Sequence, residues 1–162
     1  MKSTPGLKEF ARAPYPIREH PVYMFKPTWR WPKKAIALMQ RELIPPVLHV
    51  PCGSAPDIGD LSIDLYMEAD ITADMNHLPI RSRSFNTVLS DPPWINPKQW
   101  TTKWVRELAR VSRKRVIIRS GQFFYSLPRP WKIIRSWYCV LTVTAMVDMW
   151  YVWELENGVL ED

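Results

Sequence analysis

Proline placement is the strongest constraint on how this chain can fold. Sixteen prolines stand among 162 residues, and a proline inside a helix both removes a backbone donor and clashes with the preceding turn. Residues 1–32 contain Pro5, Pro14, Pro16, Pro21, Pro27 and Pro32, interleaved with Tyr15, Tyr23, Phe25, Trp29 and Trp31. Such a stretch cannot form a long helix but can run extended over a surface, so an ordered arm is expected there. Pro32 suits a first helical position, and Ile36, Met39 and Leu43 recur at helical spacing until Pro45-Pro46 stops them. One helix of about three turns follows from that spacing.

Between the prolines lie short apolar runs. Val47-Leu48-His49-Val50 reads as a buried strand running into Pro51-Cys52-Gly53-Ser54, and Leu61–Leu65, Ile71–Asp74, Asn86–Ser90 and Arg115–Ile118 read as four more. Lys98–Ser112 reads as a helix, with Trp104, Leu108 and Val111 on one face and Lys103, Arg106, Arg110 and Arg113 away from it. After Leu127-Pro128-Arg129-Pro130, the segments 132–143 and 146–155 are rich in Trp, Tyr, Val and Ile, which predicts an antiparallel hairpin. The whole describes an α/β chain: a mostly parallel, three-layer, Rossmann-like sheet ending in a hairpin, with its ligand site at the carboxyl ends of the strands. The length suits a single domain over 1–162, made of an arm (1–32) and a core (33–155).

The connections conflict with that picture. Only Ala55–Asp60 separates the first loop from the second strand, and Tyr66–Asp70 lies before the third, whereas a parallel crossover usually takes ~10 to 12 residues. Either the crossover helices are missing or the second strand is not a strand. If they are missing, part of a sheet face lacks its cover; the arm is expected to bury some of it, and a homodimer is compatible with the rest.

Charge and cysteines narrow the function classes. Twenty-two Lys and Arg against 16 Asp and Glu give a formal charge of +6, which favours a polyanionic partner over a solvated basic surface. Cys52 and Cys139 stand far apart, with no second pair and no histidine at zinc-ligand spacing. Neither a disulfide framework nor a metal site is expected, and both thiols read as reduced. No apolar run is long enough for a membrane span or a signal peptide, so a soluble, cytoplasmic protein is expected. The nine tryptophans are spread along the chain, which makes most of them packing residues rather than a base-stacking platform.

The most specific chemical pattern is Asp91-Pro92-Pro93-Trp94, which closes the strand Asn86–Ser90. It resembles the catalytic tetrad of the class I amino-methyltransferases, which use S-adenosylmethionine to methylate an exocyclic nitrogen such as adenine N6 or cytosine N4. Such an amine is a poor nucleophile because its lone pair is delocalised into the ring. Two acceptors aimed at the NH2 group would draw it toward tetrahedral geometry. The Asp91 carboxylate is one and the Pro92 carbonyl the other, with Pro93 holding that carbonyl extended and adding no competing N–H. Trp94 offers a flat face for the base, and positioning supplies most of the catalysis, so no tuned general base is needed.

The segment Val47–Ala55 is similar to the first motif of class I methyltransferases, with Gly53 at its central glycine. His49 stands where that family usually has an acid, and Pro51 and Ala55 where it often has glycines; His49 itself reads as a packed strand-end histidine. Asp64 occupies the position of the acid that accepts from ribose hydroxyls, or else is a solvent-facing partner in the strand's alternation. Asp74 with Met75, ahead of His77-Leu78-Pro79-Ile80, resembles the segment whose acid meets the adenine amino group of the cofactor. The resemblance spans about Val47–Ser120 and implies a cofactor set of Pro51, Cys52, Gly53, Ser54, Asp64, Asp74 and Met75, with no metal.

That family usually carries an added target-recognition region, and none is visible in this sequence. Recognition would then fall to the arm, to the cluster Arg110, Arg113, Lys114 and Arg115, or to a partner subunit. In the arm, Phe25–Lys34 interleaves aromatic and basic residues, and Lys26, Trp29 and Arg30 join Trp94 as candidate substrate contacts. DNA or RNA is the partner this implies. The alternatives are transfer to cytosine N4, a protein glutamine or a small amine, or a catalytically silent methyltransferase-like subunit that binds nucleic acid.

Overall fold

The computed structural model describes residue 31 and residues 33–92, 103–120, 126–141 and 146–156. Helix α1 is Lys33–Gln40, about two turns rather than three. It ends early because the amides of Glu42 and Leu43 bond back to the Met39 and Gln40 carbonyls, three residues behind them. The next amide, Ile44, is taken by the Thr87 hydroxyl at 2.8 Å, so the chain is drawn onto the sheet before Pro45.

Seven strands form one sheet: β1 (Val47–His49), β2 (Leu61–Asp64), β3 (Ile71–Thr72), β4 (Phe85–Ser90), β5 (Ser112–Ser120), β6 (Trp131–Leu141) and β7 (Met146–Leu155). Their order is β3-β2-β1-β4-β5-β7-β6. The first five pair in parallel, and β7 runs antiparallel between β5 and β6, as the hairpin pattern predicts. Strands β1 to β3 are shorter than the sequence runs, while β5 is longer because it leaves helix α2 (Lys103–Val111) with no loop between them. Of the helix expected from residue 98, residues 98–102 lie outside the described residues.

Register sorts the side chains into two cores. His49, Leu89 and Ile117 stand side by side across β1, β4 and β5, and Leu48, Val88 and Val116 form the next row, so the two rows face opposite sides. On one side Leu48, Val50, Ile63, Val88, Val116 and Ile118 pack against Trp104, Val105, Leu108 and Val111 of α2. The amphipathic pattern of α2 sets that contact. On the other side Leu89, Ile117, Trp150 and Val152 pack against Trp31, Ala35 and Met39.

The second strand is real, and the crossover helices are missing. A short 3-10 turn, Pro56–Ile58, is the helical structure between β1 and β2. Carboxylates hold these connections instead. Asp60 Oδ2 accepts the Val47 amide at 2.7 Å, and Asp70 Oδ2 accepts both the amide and the hydroxyl of Ser62 at 2.8 and 2.7 Å. The loop from Ala73 to Ser84 is tied to α2, where Glu107 accepts the Leu78 amide at 2.9 Å. Arg110 donates to the Leu78 and Ile80 carbonyls and pairs with Glu107 at 2.7 Å, holding the Glu107 carboxyl below the usual carboxylate range. Leu65 and Tyr66 are exposed beside these short connections, and Ile133, Ile134 and Tyr138 are exposed on the edge strand β6 at the other end of the sheet.

Glu107→Ala should therefore release the loop rather than the core. Amide exchange at Leu78 should speed up markedly while global stability falls by only about 1 kcal/mol; an unchanged Leu78 rate would show that the loop is held by something else.

Candidate cofactor and acceptor site

At the end of β1 the His49 ring is fully buried. Its Nδ1 lies 3.0 Å from the Ala55 carbonyl, which makes Nδ1 the donor and Nε2 an acceptor, and Nε2 meets no partner among the described residues. Burial pushes its pKa down to about 4, outweighing the opposing pull of the Ala55 carbonyl and of Asp64 and Asp57. His49 is a neutral, packed histidine, as its strand-end position predicts.

The following loop, Pro51–Ser54, is staked by β2. The Cys52 amide bonds to the Ile63 carbonyl at 3.0 Å, and the Gly53 amide to Asp64 Oδ2 at 2.9 Å. Asp64 Oδ1 accepts the Tyr66 and Met67 amides at 2.8 and 3.0 Å. Asp64 is thus buried and binds two loops together; it is not a solvent-facing residue of an alternating strand. Gly53 has φ +54°, the left-handed region, and a Cβ built on it would meet nothing within 4 Å among the described residues. The glycine is needed for its backbone conformation, and the space above it is open. Cys52 is buried, and burial, reinforced by the Asp64 charge, pushes its thiol up to about 12, so it is no nucleophile at neutral pH.

At the end of β4, Asp91 continues on the same face as Leu89, and Arg119 of the neighbouring β5 continues on the face of Ile117. Their side chains meet: Arg119 Nη1 donates to Asp91 Oδ2 at 2.8 Å, with side-chain exposures of 5% and 12%. The indole Nε1 of Trp31 donates to the same oxygen at 2.7 Å. The Trp31 ring lies 5.5 Å from His49 and edge-on to Trp150 at 5.1 Å, and Trp137 stacks on Trp150 at 5.9 Å. Pro92, which follows Asp91, is buried.

Not every expected residue joins this group. Asp74 is exposed in the turn after β3, where its Oδ1 accepts the Asn76 amide and side chain, and Met75 packs against the α2-side core. Pro93, Trp94, Lys26, Trp29 and Arg30 lie outside the described residues. The cluster Arg110, Arg113, Lys114 and Arg115 is no continuous basic patch. Arg110 is spent on Glu107 and the loop carbonyls, and Arg115 is paired with Glu42 at 3.1 Å and Glu154 at 2.6 Å. Among the described residues no group of His, Cys, Asp and Glu could hold a metal ion, and no helix is long and apolar enough to cross a membrane.

Sequence reasoning missed Trp31 as a site residue and Arg119 altogether. Arg119 carried a signal: it stands two residues after Ile117, on the same face of a strand whose centre is buried. A charge in that position requires a buried partner. Trp31 carried none, because its contact spans sixty positions.

Because the folded His49 titrates near 4 and an unfolded one near 6.5, protons favour the unfolded chain between those values. Its contribution is complete above about pH 6.5 and is lost as pH falls toward about 4, on the order of 3 kcal/mol in all. Urea unfolding should show a loss of about 2 kcal/mol from about pH 7 to about pH 5 that shrinks in His49→Phe; the same slope in both proteins would locate the titration elsewhere.

No known family profile and no curated protein matches the sequence. Solved structures do. Magnesium protoporphyrin IX methyltransferase (ChlM) from Synechocystis PCC 6803, with bound S-adenosylmethionine, is similar with a TM-score of 0.53 at 12% identity, over 76% of this chain and 76% of that one. A SAM-dependent methyltransferase from Aquifex aeolicus overlaps 90% of this chain and 97% of its own, with a TM-score of 0.48 at 12% identity. At 12% identity the likeness to the first of these speaks for the fold, and together with the strand order it gives this chain a Rossmann-like α/β fold.

Proposed function

We propose that the chain is an S-adenosylmethionine-dependent methyltransferase acting on an exocyclic amino group, with adenine N6 in DNA or RNA as the leading substrate. The observation that carries this reading is the placement of Asp91, at the carboxyl end of β4 and within one sheet of the glycine loop after β1. The open space above Gly53, in a loop pinned by Asp64, fits a cofactor that the backbone must approach closely. Pro51, Cys52, Gly53, Ser54 and Asp64 would line that side; Asp74 and Met75, expected to join them, stand apart in the loop after β3.

When bound, the sulfonium supplies an activated methyl group. The protein's part is to position and to exclude water. Asp91 and the Pro92 carbonyl accept from the amine, Pro93 fixes that carbonyl, and Trp94 stacks on the ring. Recognition of the polynucleotide falls to Lys26, Trp29 and Arg30 of the arm, to a second copy of the chain, or to a partner subunit seated on the uncovered apolar surface. The ion pair between Arg119 and Asp91 supports a second reading. A carboxylate already held by a guanidinium and an indole suits a catalytically silent subunit of methyltransferase fold, and cytosine N4, a protein glutamine or a small amine remain the other acceptors of the enzymatic reading.

Calorimetric titration with S-adenosylmethionine and with its demethylated product separates the two. Binding is expected, and its absence at millimolar ligand sinks the autonomous enzyme. Asp91→Asn keeps the side chain's shape and should lower methyl transfer at least about a hundredfold while leaving cofactor affinity within about twofold; equal loss of both would mean that Asp91 serves the cofactor instead. Gly53→Ala should cost about 1 kcal/mol of stability through its left-handed backbone, and its new Cβ should weaken cofactor binding by clearly more than that. Unchanged affinity would move the cofactor away from this loop.

A further inference from the structure

Trp31 sits on the acceptor carboxylate as a substrate would. Its indole is a flat heteroaromatic ring whose N–H donates to Asp91 Oδ2 at 2.7 Å, and the amine of a nucleobase is likewise an N–H donor borne on a flat ring. The niche is built from parts far apart in sequence. His49 of β1 and Trp150 of β7 flank the ring, Trp137 of β6 backs Trp150, and Arg119 of β5 fixes the carboxylate from the side.

The same rings carry polar atoms that the indole leaves unsatisfied. His49 Nε2, an acceptor, and Nε1 of Trp150 and Trp137, both donors, are buried without a hydrogen-bond partner among the described residues. A buried polar atom in that condition is unfavourable. The indole shares its pocket with apolar side chains, among them Ala35, Met39 and Leu89, and the two rings beside it, His49 and Trp150, each keep one such atom.

We infer that the niche holding the Trp31 indole is the binding place of the acceptor's heteroaromatic amine, and that Trp31 occupies it as a resident competitor. The inference rests on Asp91 being the acceptor-side carboxylate. It places His49 and Trp150 beside the base, in addition to Trp94, and makes the position of Trp31 a switch between a closed and an open site. Apparent substrate affinity is then the intrinsic affinity reduced by the fraction of molecules in which Trp31 has left.

The test compares wild type with Trp31→Phe, which keeps a ring but removes the N–H, and Trp31→Ala, which empties the niche. Each is titrated with 2′-deoxyadenosine and with cytidine under excess S-adenosylhomocysteine, so that the nucleoside does not report on the cofactor loop, and with methylamine as an amine that lacks a ring. Loss of one charge-assisted hydrogen bond by the competitor should tighten nucleoside binding about tenfold in Trp31→Phe and at least as much in Trp31→Ala, whereas methylamine, which has no ring to fill the niche, should gain clearly less. Nucleoside binding that is unchanged, weakened or absent in Trp31→Phe overturns the inference, whether or not Trp31→Ala folds. In wild type, the Trp31 indole N–H should exchange with solvent faster when nucleoside is bound; an unmoved, protected N–H also overturns it. Binding of S-adenosylmethionine is measured on the same proteins. Its absence from all of them condemns the methyltransferase reading, whereas intact cofactor binding with a nucleoside affinity indifferent to Trp31 condemns this inference alone.

Discussion

Backbone amides must be paired when a parallel sheet is built with almost no crossover helices, and aspartates supply that pairing here. In the usual arrangement a helix between strands satisfies its own amides and covers the sheet at once. This chain separates the two tasks. Asp60, Asp64 and Asp70 take the amides of Val47, Gly53, Tyr66, Met67 and Ser62, so the connections between β1, β2 and β3 stay ordered within very few residues. The cover is left incomplete, which is why large apolar side chains such as Tyr66 remain exposed beside them.

The site inherits its geometry from the same economy. Asp64 holds the Gly53 loop through one oxygen and its own following turn through the other, so the left-handed turn at Gly53 is locked without a helix N-terminus behind it. One row further across the sheet, Asp91 and Arg119 occupy matching places on adjacent parallel strands. The face they share is covered by α1 and Trp31. A two-turn helix is too short to reach the strand ends, and Trp31 fills the remaining space. Cover and site are therefore the same group of atoms.

Much of this was legible in the sequence because strands and breakers follow local rules. The five parallel strands and the hairpin could be placed from short apolar runs between prolines, and the burial of Trp104, Leu108 and Val111 from their helical spacing. Lengths were less legible. Helix α1 stops where Thr87 captures the Ile44 amide, and no pattern within residues 33–46 encodes a hydroxyl that arrives from β4. The apparent conflict over crossover length came from counting residues without counting carboxylates; three aspartates close to strand ends were the local sign that helices were not required. In the site, the Asp91 pattern and Gly53 could be read directly, while the Arg119–Asp91–Trp31 contact depends on which strands become neighbours. Part of the basic cluster at 110–115 was misleading for the same reason: Arg110 and Arg115 are neutralised by Glu107, Glu42 and Glu154, two of them distant in sequence, while Arg113 donates to the Arg83 carbonyl.

Those neutralised arginines change where the charge of the molecule lies. Residues 1–34 hold Lys2, Lys8, Arg12, Arg18, Lys26, Arg30, Lys33 and Lys34 against Glu9 and Glu19, which accounts for the entire formal surplus of +6 and leaves the rest of the chain balanced. The surplus of positive charge therefore lies, in sequence, in the stretch that brackets Trp31. If a polyanion binds that stretch and Asp91 takes its amine, as proposed above, free energy gained there would act on the Trp31–Asp91 contact, and by linkage that contact would oppose binding to the same degree. Charge, cover and acceptor site would then be tied to one side chain, and the acceptor's approach to Asp91 would begin with the departure of the indole.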